Sequence, residues 1–479
     1  MLDYRALALR KIASIAPRYL PFVDVATEEV PLSRLLRLSL FQVTVGMALV
    51  LLVGTLNRVM IVELNVPASL VAGMLALPLL FAPFRTFIGF KSDTHRSALG
   101  WRRVPFIWKG TMYQFGGFAI MPFALLVLSG YGEAIDAPRW IGLSSAALAF
   151  LLVGAGLHMV QTVGLALATD LVKEEDQPKV VGLMYVMLLV GMVVSALVYG
   201  TLLENYTPGR LIQVIQGTAI MTIALNLLAL WKQEARDRSR AAAMENAQNI
   251  AFGDAWRELI ARPGTLRLLA VIGLGTFGFG MADVLLEPYG GQALGFSVAE
   301  TTKLTALLAG GTLIGFAIAS RGLGAGGNPA RLAAIGAAIG IPGFIAIILS
   351  ASAVGPLLFM AGTLATGLGA GLFGHATLTA TIRGAPSHQI GLSLGAWGAV
   401  QATCAGIGVA LAGLVRDILV GLDSFSGLSV HTPYNIVFMI EIAFLAMAIF
   451  VVIPLAARRV RSPDDRRCRV SQHSPVEAP

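Results

Sequence analysis

Apolar runs bounded by charges and by glycine and proline clusters recur along the whole chain. Twelve of them are long enough to cross about 30 Å of hydrocarbon as helices. They fall at 38–62, 67–90, 105–129, 141–169, 180–203, 209–231, 266–288, 300–320, 330–353, 356–381, 388–415 and 434–457. The longest polar stretch, 232–265, follows the sixth run and splits the chain into two blocks. The pattern therefore predicts an N-terminal bundle over 38–231, a cytoplasmic central loop over 232–265 and a C-terminal bundle over 266–457. A basic tail at 458–479 reads as disordered. In the leading segment 1–37, Leu2, Leu7, Leu9, Ile12 and Ile15 interleave with Arg5, Arg10 and Lys11, which predicts an amphipathic helix on the membrane surface. No uninterrupted apolar h-region or cleavage site is present there, so no cleaved signal peptide is expected.

The two blocks echo each other. Ile88-Gly89-Phe90 recurs as Ile314-Gly315-Phe316, Gly154-Ala155-Gly156-Leu157 with Thr162 as Gly369-Ala370-Gly371-Leu372 with Thr377, and Val181-Gly182-Leu183 as Ile390-Gly391-Leu392. The matches keep one order, and their spacing drifts only as loop lengths require. They point to a duplicated six-helix unit, the parallel-repeat arrangement of the major facilitator fold. The expected class is an all-α polytopic membrane protein with twelve transmembrane helices in two pseudo-symmetric halves.

Composition narrows the function. Of 479 residues, 56% are hydrophobic and 13% charged, against ~25% charged in soluble domains, which argues against a water-soluble enzyme. The 53 glycines then read as close helix packing. Lysine and arginine concentrate in 1–37, 91–109, 173–179, 232–267 and 458–469, all on one side, which makes both termini cytoplasmic. The net charge of +8 follows from this bias and needs no nucleic-acid partner. Cys404 lies in an apolar segment and Cys468 in the tail, so they build no disulfide framework, zinc cluster or iron–sulfur site. Metalloprotease, Walker, dinucleotide and nucleophile-elbow motifs are not found in a credible context.

Two groups of residues carry candidate chemistry. The loop after the second run holds Gly89, Asp93 and Gly100 ahead of Arg102 and Arg103, an order that resembles the cytoplasmic gating loop of the major facilitator superfamily, with Asp93 and Gly100 further apart than in the usual pattern. An acid beside a helix end with arginines nearby can hold helix ends in one of two states. A purely topogenic basic loop has the same composition, and the second half has Ala319 where an acid would sit. Ionisable groups inside spans are costly and default to functional candidates. They fall in runs 1, 4, 7 and 10: Arg58, His158 with Gln161, Asp283 with Glu287, and His375; Arg85 and Glu441 are exceptions. Asp283 and Glu287, four apart, share a helix face, and the repeat places Asn57 and Arg58 opposite them. The expectation is a charge pair of Arg58 with Asp283 or Glu287; a headgroup location with no partner is the alternative. His158, Gln161 and His375 are candidates for coordinating a metal or the magnesium of a chlorin, for a proton relay, or for ordinary structural bonding.

Several stretches resemble one family specifically. They are Asn57 to Leu64, the Ala-Pro-Phe-Arg run at 82–85, Lys91 to Arg96, Gly100 to Pro105, Ile107 to Thr111, Gly156-Leu157-His158 with Gln161-Thr162, Leu285 to Gly291 and Phe373 to Thr377. Together they resemble the PucC/LhaA family, the light-harvesting assembly or bacteriochlorophyll delivery branch of the major facilitator superfamily, and most of all its LhaA type. The resemblance implies an assembly factor for the core antenna of a phototrophic purple bacterium and no covalent chemistry, so no enzyme. It implies bacteriochlorophyll held non-covalently, with a carotenoid as a second candidate pigment. The implied partners are the antenna alpha and beta polypeptides, the core photosynthetic complex, chlorophyll synthase, the membrane insertion machinery and the lipid bilayer. The implied location is the inner or intracytoplasmic photosynthetic membrane. No ligand residue is implied by the family; His158, Gln161 and His375 stand on their chemistry alone. The alternative function is a proton-coupled secondary transporter of a small solute or tetrapyrrole precursor.

Overall fold

The computed structural model describes residues 30–80, 88, 92, 101, 103–130, 134, 136–173, 176–233, 252–351, 355–385, 390–422 and 429–457. Asp93 and Arg102, most of the leading segment, Arg85 and the basic tail lie outside them. The described residues form helices: α1 Leu32–Glu63, α2 Ala68–Leu80, α3 Val104–Ser129, α4 Arg139–Asp170, α5 Gln177–Leu202 and α6 Pro208–Leu230 in the first half. The second half holds α7 Thr265–Leu294, α8 Val298–Gly324, α9 Pro329–Leu349, α10 Pro356–Gly384, α11 Ile390–Gly421 and α12 Thr432–Ala457. Among the described residues eleven helices are long and apolar enough to span a membrane, and Ala68–Leu79 is a shorter apolar helix at the start of the expected second run. The chain is thus a multi-pass membrane protein. The central loop expected at 232–265 contains a further helix, Phe252–Ala261, whose Leu259 is buried.

Helix ends follow local chemistry. Ser297 and Glu300 form a reciprocal capping box at α8, with the Ser297 N–H donating to Glu300 Oε2 at 2.8 Å. Asn328 caps α9, and Pro208, Pro329 and Pro356 occupy first-turn positions where their missing N–H costs nothing. In α1 the winding loosens to π-helix over Val50–Leu56 and Val59–Glu63.

The halves pack alike. α3 lies along α4 and α9 along α10, and the halves meet mainly through α2 against α11 and α5 against α8. Those last two pairs exchange under the repeat. A Cβ on Gly156 of α4 would come 2.5 Å from the Gly110 carbonyl oxygen of α3, and one on Gly369 of α10 would come 2.6 Å from that of Gly336 of α9. The repeated Gly-Ala-Gly therefore permits the same backbone approach in each half, but through its last glycine in α4 and its first in α10. Its other glycine, Gly154 or Gly371, faces α2 or α8.

Candidate functional site between the halves

The polar face of α1 meets α7 and α8 at the interface between halves. At Gly54 a Cβ would lie 2.5 Å from Glu287 Oε1 and 2.9 Å from Thr305 Oγ1, so only a bare backbone lets the α7 carboxyl rest against α1. Glu287 is buried, accepts a hydrogen bond from the Thr305 hydroxyl, and its Oε2 has no hydrogen-bond partner. Beside it the hydroxyls of Thr55 and Thr302 bond at 3.1 Å, and Asn57 Nδ2 donates to the Val284 carbonyl at 2.9 Å. Asp283 shares the Glu287 face and keeps an exposed side chain although Met281, Ala282 and Val284 around it are buried.

The expected pairing of Arg58 with Asp283 or Glu287 is not formed. Arg58 is 3% exposed; its ion pair goes to Glu63 in its own helix, and its Nη2 donates to the Phe296 carbonyl at 3.0 Å. The cause is the π-helical turn: i to i+5 winding brings a residue and the fifth after it to one side. Arg58 still joins the halves, through a backbone oxygen beyond α7 rather than through a carboxylate.

α7 is interrupted at Met281, and its second segment begins at Ala282. The Ala282 N–H donates to Glu441 Oε1 of α12 at 2.6 Å, and Glu441 is fully buried. A carboxyl oxygen on the first N–H of a helix segment satisfies an orphan donor and suits the positive end of the dipole. Sequence reading sets Glu441 aside as an exception; its signal was a lone acid in mid-span, with its partner 159 positions away in α7.

The histidines occupy different settings. His375 is buried in α10 with its ring centroid 4.1 Å from that of Phe316 in α8. His158 and Gln161 are half-buried on α4. Among the described residues no group of three or more His, Cys, Asp or Glu is placed to hold a metal ion. Ahead of α3, Arg103 is buried and grips Asp170 at the end of α4 through Nε at 2.6 Å and Nη2 at 3.3 Å, while its Nη1 donates to Ser92 Oγ at 3.1 Å. These bonds fasten the start of α3, with Ser92, to the end of α4 within one half.

Further polar contacts tie the halves at the membrane face opposite the described N-terminal end of α1. Asp417 of α11 accepts from the Ser69 N–H in the first turn of α2 at 2.7 Å, and Lys303 of α8 pairs with Glu204 beyond α5 at 2.9 Å. Behind Asp417, Arg416 and Tyr434 both donate to Gln292 Oε1, at 3.0 and 2.6 Å. None of these stood out in the sequence, because each lies at a helix end where charge is ordinary.

Solved structures share this architecture at low identity. A bacterial homologue of the human lysosomal transporter Spinster is 17% identical, with 90% of this chain and 98% of that one covered and a TM-score of 0.63. The nucleoside transporter NupG is 14% identical, with 89% and 100% covered and a TM-score of 0.60. The fold is that of the major facilitator superfamily. Among curated proteins, Protein PucC of Rhodobacter capsulatus is 70% identical over 95% of this chain and 99% of its own length, and Protein PucC of Rhodovulum sulfidophilum is 62% identical over 90% and 95%. The bacteriochlorophyll synthase 44.5 kDa chain of Rhodobacter capsulatus is 26% identical over 81% and 88%. The family model described as PUCC protein matches residues 55–460, and the chain belongs to that family.

Proposed function

We propose that this protein is an assembly factor of the photosynthetic membrane that holds bacteriochlorophyll, and secondarily carotenoid, while antenna alpha and beta polypeptides insert and oligomerise. It performs no covalent step of its own. The observation that carries the reading is whole-length kinship to PucC proteins, joined by a relative whose name places it with bacteriochlorophyll synthesis. The physical setting supports it: Gly73, Gly116, Gly310 and Gly398 have open space where a side chain would stand, and such bare helix positions let flat or helical partners approach closely. Of the pigment-ligand candidates, His158 with Gln161 is the better, because both are only half-buried, whereas His375 is buried against Phe316 and an axial ligand needs a ring nitrogen that the pigment can reach. The likeness to the LhaA type favours the core antenna, whereas the relatives at 59–70% identity carry the PucC name; the role is therefore proposed for antenna polypeptides as a class. The core complex, chlorophyll synthase and the insertion machinery are the proposed neighbours. The lysine and arginine bias supports cytoplasmic termini in the inner or intracytoplasmic membrane.

The test is purification in mild detergent, followed by an absorption spectrum and mass spectrometry of co-eluting polypeptides. Chlorin absorbance with antenna subunits is expected, and the subunit identities separate core from peripheral antenna. Neither pigment nor antenna across several detergents would overturn the reading. His158→Ala should lower bound pigment more than His375→Ala. A second reading, a proton-coupled transporter of a small solute or tetrapyrrole precursor, is favoured by Asp283 and Glu287 on the inter-half face. It requires solute uptake driven by a pH gradient in proteoliposomes.

A further inference from the structure

A half-open cavity lies away from the inter-half site, at the end of the C-terminal half where α7 begins. It measures about 350 Å³ and is bounded by the first turns of α7, α9 and α11, the last turns of α10 and α12, and the helix Phe252–Ala261 through Leu259. Its deep walls are apolar, formed by Leu268, Val271, Ala333 and Val452. Its rim is cationic, formed by Arg262 and Arg383.

Three features give the rim an anion preference. Arg383 donates to the carbonyls of Leu323 at 2.7 Å and Gly327 at 3.1 Å, neutral partners that fix the guanidinium without cancelling its charge. Arg262 pairs with Glu258 at 2.7 Å, but that acid is itself more than half exposed and screened by water. α7 starts at Gly264, in the left-handed region with φ of 97°, and no side chain caps its first N–H groups, so the positive end of a helix dipole faces the same region. Independently of these, Ser393 lines the cavity, is 4% exposed, and its hydroxyl has no hydrogen-bond partner. Buried hydroxyls are nearly always bonded, so this one is available to a guest. A larger space of about 530 Å³ between α5 and α6 has no such group: its Tyr199 and Thr218 bond each other at 2.8 Å.

We propose that this cavity binds the phosphate headgroup of an anionic phospholipid from the adjoining leaflet, with Arg262, Arg383 and the Ser393 hydroxyl around the phosphate and an acyl chain along the apolar wall. Basic pockets between spans at this depth suit such headgroups, and the membrane in which the chain resides supplies the amphiphile. A free phosphate would satisfy the rim but leave the apolar wall unused.

The experiment reconstitutes the full chain in nanodiscs of phosphatidylcholine doped with phosphatidylglycerol, and releases it for native mass spectrometry. The wild type should retain phosphatidylglycerol over phosphatidylcholine. Arg262→Gln should lower that retention about fivefold, one cationic contact, and Ser393→Leu should lower it by filling the cavity. Arg331→Gln, a cation of the same face outside the cavity, should leave it unchanged. Ser393→Ala is the milder companion and should reduce retention without a packing penalty. Equal retention in Arg262→Gln and wild type, or equal loss in Arg331→Gln and Arg262→Gln, would overturn the site. Thermal stabilisation by inorganic phosphate alone, with no lipid retained, would overturn the lipid as its occupant.

Discussion

The contact between Glu441 and the start of the second α7 segment can be tested by paired substitutions. Glu441→Ala removes the oxygen that accepts the Ala282 N–H at 2.6 Å in a fully buried site. Leaving that donor unsatisfied costs about 1–3 kcal/mol, and the lost side-chain volume adds about 2 kcal/mol, the low end for a buried truncation. The sum is roughly 3–5 kcal/mol. Glu441→Gln keeps an acceptor oxygen in place and replaces Oε2, which has no partner in the wild type, by an amide nitrogen equally without one. Its cost should be about 1 kcal/mol. At roughly 2 °C per kcal/mol, the lower end for larger domains, alanine should lower the unfolding midpoint by about 6–10 °C and glutamine by about 2 °C. Scanning fluorimetry in one detergent reads both. Equal shifts for the two variants, or an unchanged midpoint for alanine, would show that the α7 interruption does not depend on this oxygen.

Other consequences can be measured alongside. Glu63→Arg and Arg58→Glu should each destabilise the protein, and the double exchange should recover part of the loss because the partners are five apart on one π-wound turn; a double variant no better than the singles would refute the pairing. The bidentate grip of Arg103 on Asp170 predicts a coupling of about 1 kcal/mol in a double-mutant cycle with Arg103→Gln and Asp170→Asn, read from thermal midpoints. Gly156→Leu and Gly369→Leu should cost about 1–3 kcal/mol or more each and lower the monodisperse peak in size-exclusion chromatography, since both positions abut a neighbouring carbonyl. A tolerated leucine at either would argue against the close crossing.

Apolar run length and charge bias made the spans readable, because burial in a bilayer demands about 20 apolar residues whatever their neighbours do. The repeat was readable too, although its glycine triplet serves α4 and α10 in opposite order, a shift visible only when the crossings are in place. Partner choice was not readable. Arg58 has acids on α7 at plausible depth, yet local winding hands it Glu63, and no residue in 50–63 announces a π turn by composition. The α7 interruption follows Gly280 without a proline, and the acid that caps its second segment comes from α12. Helix-end contacts such as Asp417 with Ser69 depend on where two termini land, which hydropathy does not specify.

The interface on the face opposite the described N-terminal end of α1 has an energetic consequence. Among the described residues its polar bonds are separate: Thr55 with Thr302, Asn57 with Val284, Arg58 with Phe296, Ser69 with Asp417 and Lys303 with Glu204. Each is worth about 0.5–1.5 kcal/mol net, so the polar part of the seal amounts to only a few kcal/mol. A differential affinity of that size shifts a two-state equilibrium by orders of magnitude. A ligand that binds a parted arrangement more tightly than the closed one by those few kcal/mol offsets the polar part of the seal, whereas one that binds both equally shifts nothing.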